Sequence, residues 1–147
     1  MRAVLTGVIL SALLFCSDAL ALTAVCREPQ GRVLGVHGLM GEGKEVDEVD
    51  GMTGGLFTLI WDGSSRRATL ITQGAGGGAP NTEDALVVHN TKGKLSVLVL
   101  YEGAVWLYSL YPEVGRLLIT AHQEGLGIDA GGALAKVFQA QCEVSSK

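Results

Sequence analysis

His89, Ser96 and Ser109 are residue types that can make a nucleophilic site: a neutral imidazole takes a proton from a hydroxyl, whose oxygen then attacks. If Lys92-Gly93 and Glu102-Gly103 are two-residue turns between antiparallel strands, His89 faces Ser96 and Ser96 faces Ser109. A serine hydrolase needs more: a group orienting the base, donors for the oxyanion, and a serine on an exposed, strained turn. Mid-strand serines lack that turn, so a polar cross-strand ladder is the favoured reading. His122 is a second candidate base, and with residues 112–115 as a loop it falls beside Val105. Four residues along a strand is roughly 13 Å, too far for His89 and His122 to share a metal. His37 lies next to an acidic stretch and stays open as a partner of either.

The acidic stretch, Glu42, Glu45, Asp47, Glu48 and Asp50, has oxygen ligands that suit calcium, but their spacing does not fit a calcium-binding helix-loop-helix. It is read as a solvated loop, and no metal site is assigned. Gly74-Ala75-Gly76-Gly77-Gly78-Ala79 fits the pattern of a dinucleotide fingerprint. That fingerprint works because a helix N-terminus receives the pyrophosphate; here Pro80-Asn81-Thr82-Glu83-Asp84 leads into another strand. The run is read as a loop, and no cofactor is expected. Trp61, Tyr101, Trp106, Tyr108 and Tyr111 combine large apolar area with polar tips, so they suit either a core or a ligand pocket. Trp106, Tyr108, Tyr101 and Trp61 are the candidate ligand-binding set.

Extended runs separated by short glycine-containing connections must position these residues. Strands are expected near 31–37, 56–61, 66–73, 85–91, 95–101, 104–110, 116–122 and 136–144, with a short C-terminal helix as the alternative for the last. The expected fold is all-β: an antiparallel meander of seven to eight strands forming a curved sheet or small barrel, with two packed sheets as the alternative. In the middle hairpins Leu86, Val88, Val97, Val99, Tyr101, Trp106 and Tyr108 are expected on one face, with Val87, Leu98, Leu100, Val105 and Leu107 on the other. Both faces are apolar, so cover is expected on both, from curling, a helix, a partner or a ligand. With residues 62–65 as a four-residue loop, Phe57, Leu59, Trp61, Ala68 and Leu70 share one face of the preceding hairpin.

The N-terminus sets the expected compartment. Arg2, the apolar residues 3–15 and Ala19-Leu20-Ala21 have the order of a cleavable signal peptide over residues 1–21, leaving one β domain over residues 22–147. The apolar stretch is shorter than the ~20 residues a spanning helix needs, and no transmembrane span is expected. Phe15 before Cys16 argues against a lipid-attachment box. Cleavage near Ala21 would release a periplasmic or secreted chain whose two cysteines, Cys26 and Cys142, are expected to pair. Arg2 and Asp18 leave together, so the net charge of −4 is unchanged, which argues against non-specific nucleic-acid binding.

The run Trp106-Leu107-Tyr108-Ser109-Leu110-Tyr111-Pro112-Glu113-Val114-Gly115 and Leu118-Ile119-Thr120-Ala121-His122 resembles small exported proteins of proteobacteria. Cys26-Arg27-Glu28-Pro29-Gln30-Gly31 and Ala140-Gln141-Cys142 are similar to their ends. The resemblance implies a compact β domain with a terminal disulfide and brings no assigned activity. Periplasmic barrels that inhibit lysozymes are comparable in size, but none of their inhibitory loop motifs occurs here. The leading expectation is a periplasmic binding or protein-interaction module for a small apolar ligand or an envelope protein. A small hydrolase centred on His89 or His122 and a structural or stress-related envelope factor are the alternatives.

Overall fold

The computed structural model describes residues 21–38, 43–74, 76–124 and 131–146; the expected signal peptide (save Ala21), Cys16 and Glu42 lie outside them. Among the described residues nine strands follow in chain order: β1 (Leu22–Val36), β2 (Glu45–Gly51), β3 (Leu56–Trp61), β4 (Arg67–Gln73), β5 (Asn81–Thr91), β6 (Lys94–Tyr101), β7 (Ala104–Tyr111), β8 (Arg116–Glu124) and β9 (Ala133–Ser146). Each neighbouring pair is antiparallel, and β1 also pairs with β9. The result is a closed eight-stranded barrel with β2 as an additional strand. Among the described residues no helix is long and apolar enough to cross a membrane.

Tight turns explain the meander. Tyr101 lies opposite Ala104 and Thr91 opposite Lys94, so Glu102-Gly103 and Lys92-Gly93 are the expected two-residue turns. Gly103 has a φ of 70°, the left-handed conformation that such turns demand and that glycine adopts without steric cost. A 3-10 turn over Pro112–Val114, ended by Gly115, reverses the chain into β8.

Several local expectations are corrected. The acidic stretch is a strand rather than a loop: β2 pairs with Gln30 to Val36 of β1, Val46 is buried, and Arg32 forms an ion pair with Asp47. Pairing to an existing strand has overridden the poor β-propensity of Asp and Glu. Residues 22–30, not expected in a strand, belong to β1, and the C-terminal segment is strand β9 rather than helix. Pairing of both long strands to each other accounts for both outcomes. Val88 is an extra residue between the Val87–Val97 and His89–Ser96 pairs. This bulge puts Val87, not Val88, on the face of Val97 and moves Leu86 to the face of Leu98. The β3–β4 register is displaced by two, with Leu59 opposite Leu70. Asp62 Oδ1 holds the longer turn by accepting from Ser64 N at 2.9 Å and Ser65 N at 2.7 Å. These bonds also hold the Asp62 carboxyl below its ordinary pKa. A displacement of two preserves the faces, so Phe57, Leu59, Trp61, Ala68 and Leu70 do point together into the core.

Closure is made at the seam between β1 and β9. Cys26 lies directly opposite Cys142, and the two form a disulfide across 116 residues of chain. Glu28 and Pro29 bulge out of β1, where Glu28 N donates to Gly55 O and Met52 N donates to Pro29 O, both at 2.9 Å. These bonds place β2 and β3 end to end along the same edge of β1. Inside, Leu59, Leu70, Val97, Leu110, Ile119 and Phe138 are fully buried. Outside, the second apolar face is only partly covered within the chain: Leu100 is 69% exposed, Val105 45% and Val137 52%.

Candidate functional site

Cross-strand register arranges the inward side chains in rows. At the end of the barrel that holds the Glu102-Gly103 turn, one row runs Gly35, Leu134, Gln123, Ala104 and Tyr101. The next runs Val33, Lys136, Ala121, Trp106 and Val99. Below it run Gly31, Phe138, Ile119, Tyr108 and Val97. Phe138, Ile119 and Tyr108 fill the third row and close it to water, whereas Tyr101, Ala104, Gln123 and Trp106 of the upper rows border open space. The barrel therefore has a floor and an open mouth.

The mouth contains a cavity of about 480 Å³, lined among others by Met52, Phe57, Glu83, Tyr101, Trp106 and Tyr108. Trp106 stacks on Tyr108 with ring centroids 6.2 Å apart and an interplanar angle of 19°. Phe57 meets Tyr108 in a tilted arrangement, also at 6.2 Å between centroids. Lys136 Nζ lies 5.9 Å from the Trp106 ring centroid, within cation–π reach. Glu83 is opposite the buried Leu70 and so points inward.

Burial pushes the Tyr108 phenol well above its ordinary range, and Tyr101 and Glu83 act in the same direction. Burial also raises Tyr101, as does Glu83, while a hydrogen-bonding interaction with Tyr108 opposes them. Both phenols are protonated at neutral pH and can donate. A consequence for stability follows from linkage. Because the folded pKa of Tyr108 exceeds the unfolded value of about 10, its contribution is complete below pH 10 and is lost above it, where the unfolded chain releases the proton first. The difference in unfolding free energy between wild type and Tyr108→Phe is expected to be constant up to pH 9. Above pH 10 the wild type should lose about 1.4 kcal/mol per pH unit relative to the variant. Urea unfolding from pH 8 to 11.5 measures this, and parallel curves for the two proteins would contradict it.

Three of the four candidate aromatic residues, Trp106, Tyr108 and Tyr101, thus converge on one cavity. Trp61 does not join them. It lines a separate cleft of about 600 Å³ at the other end with Leu22, Leu95, Pro112 and Val144. Its indole Nε1 donates to Ser65 O at 2.8 Å, anchoring the β3–β4 turn. Tyr111 belongs to the outer wall, opposite Arg116. Glu83 and Lys136 were missed by sequence reasoning; inward alternation along β5 and β9 is the signal for them, once the registers are known.

The histidine candidates lie elsewhere. His89 faces Ser96 and Ser96 faces Ser109, as the turn geometry implied, but this row is on the outside of the barrel. Ser96 Oγ and Ser109 Oγ bond each other at 2.9 Å and are buried by their neighbours, while His89 is exposed. A serine pair satisfied by itself in mid-strand has no activated hydroxyl to offer. His122, opposite Val105, is also outside, in a groove of about 880 Å³ shared with Leu34, Leu100, Val105 and Ala135. His37 follows β1, with its backbone N donating to Lys44 O at 2.9 Å. The acidic residues of β2 alternate, with Glu45 and Asp47 on one face and Glu48 and Asp50 on the other, so the strand divides them. Of the glycine run between β4 and β5, Ala75 lies outside the described residues, and Gln73 Nε2 donates to Gly78 O at 3.1 Å. No family model, curated protein or solved structure matches the chain.

Proposed function

We propose that this protein is a binding module of the cell envelope that takes a small, largely apolar ligand into the open mouth of its barrel. The observation that carries the reading is the cavity at the mouth, lined by Trp106, Tyr101 and Tyr108 above a floor buried from water. Concave, mostly apolar sites with a few directed polar groups are the usual form of small-molecule pockets. The expected export and the disulfide fit a periplasmic or secreted setting. Catalysis finds less support, because His89, His122 and the serine pair lie on the outer wall, away from this cavity.

The test is native mass spectrometry of the oxidised protein purified from its own envelope, beside Trp106→Ala and Trp106→Leu. Wild type is expected to carry a small molecule that Trp106→Ala loses while keeping its β circular-dichroism signal. Retention of the same molecule by both variants would refute the assignment. A second reading, a protein-interaction module, is favoured by one observation: the outer row Leu100, Val105, His122, Ala135 and Leu34 is apolar and partly exposed. On that reading Leu100→Glu, rather than Trp106→Ala, abolishes capture of an envelope protein.

A further inference from the structure

We propose that the mouth selects an organic cation, with Glu83 holding the charge and Trp106 the adjoining apolar part; this rests on the mouth being the ligand site. Three carboxylates, Glu83, Glu102 and Glu124, line the cavity, and no lysine or arginine is among its lining residues. Glu83 is the informative one. It projects inward from β5 beside a ring of apolar and aromatic side chains, where an ionised carboxylate loses hydration and gains most from an ammonium ligand. Glu102, which follows β6, and Glu124, which ends β8, sit at the rim, where their charge attracts a cation toward the opening.

The aromatic geometry points to the same chemistry. The face of Trp106 attracts a cation through its quadrupole, and Lys136 Nζ already lies 5.9 Å from its centroid. Lys136 is the charge that opposes the proposal, because it points to the inner side from β9. Its own row also holds Glu48, two strands away across Val33, and the next row holds Asp50. The inner face around the mouth remains acidic with Lys136 included. A ligand ammonium would therefore displace Lys136 from the ring or share the ring with it, and an anion would meet more carboxylates than bases.

Titration calorimetry at low salt, using decyltrimethylammonium, decyl maltoside and decyl sulfate below their micellar concentrations, separates the possibilities. The cation is expected to bind at least tenfold more tightly than the neutral or anionic probe. Glu83→Gln should remove most of that preference without changing decyl maltoside affinity, whereas Glu143→Gln on the outer wall should leave it intact. Lys136→Gln should tighten cation binding by freeing the Trp106 face. Equal binding of all three probes, abolished by Trp106→Ala, would overturn the charge selection and leave the cavity as the ligand site. Preference for decyl sulfate, lost in Lys136→Gln, would overturn the proposal in favour of an anion held by that lysine. Binding of none of the probes would count against both readings.

Discussion

Replacing Cys26 and Cys142 together by serine is expected to lower the unfolding free energy by about 4 to 5 kcal/mol, and Tm by roughly 10–20 °C. The size comes from the length of chain that the bridge constrains, 116 residues in sequence separation, since loop-closure entropy grows with the logarithm of loop length. The location adds to this. The bridge crosses β1 and β9, the strands whose pairing turns an open sheet into a barrel, so its loss removes the covalent link at the site of closure. Closure is also the step with the largest loop to restrain, and the seam is the contact that the unfolded chain makes least often. Thermal unfolding of wild type with and without reductant, beside the double variant, measures the effect. Near-identical midpoints for all three would show that strand pairing closes the barrel unaided.

Phe138→Ala is expected to cost about 3 to 5 kcal/mol, and Phe138→Leu distinctly less. Phe138 is 1% exposed and forms the floor of the mouth with Ile119 and Tyr108. Truncation removes a large buried apolar surface and leaves a void that the neighbouring strands, hydrogen-bonded on both sides, relax into poorly. Its partner on β1 is Gly31, where an added Cβ would overlap Val137 O and come within 2.7 Å of the Phe138 Cα. Gly31→Ala should therefore also destabilise the protein, by forcing the seam apart rather than by emptying the core. Urea titration distinguishes the two variants from surface controls such as Glu143→Gln. A loss below 1 kcal/mol for Phe138→Ala would mean that this row does not seal the interior.

The parts of this fold that were legible before the structure are those set by short-range chemistry. Glycine in the turn at Glu102-Gly103 dictated a register that holds residue for residue between β6 and β7, and Lys92-Gly93 one that holds from Thr91–Lys94 to His89–Ser96. The same registers brought Tyr101, Trp106 and Tyr108 to one face, and two terminal cysteines in one domain implied their own pairing. What escaped depends on contacts distant in sequence. β2 is a strand because β1 offers it an edge, which no local feature of its acidic residues announces. The bulge at Val88 exchanged the faces of Leu86, Val87 and Val88 without altering the polar row, so alternation alone misassigned them. Glu83 and Lys136 become site residues only when β5 and β9 receive their registers, and that of β9 is set by the closure with β1. The outer apolar face shows a limit of another kind: closure accounts for the inner half of the pattern and leaves Leu100 and Val105 open to solvent.

The chain contains two tryptophans, and the fold puts them at opposite ends of the barrel, so their indole N–H signals report separately on the two ends. Titrating the isotope-labelled, oxidised protein with the small-molecule fraction of its own envelope and following both indole resonances is the most direct test of the mouth as the ligand site. The Trp106 resonance is expected to shift in a saturable way while that of Trp61, held against Ser65 O, stays in place. A saturable shift of Trp61 with Trp106 unmoved, or no response from either, would contradict the assignment.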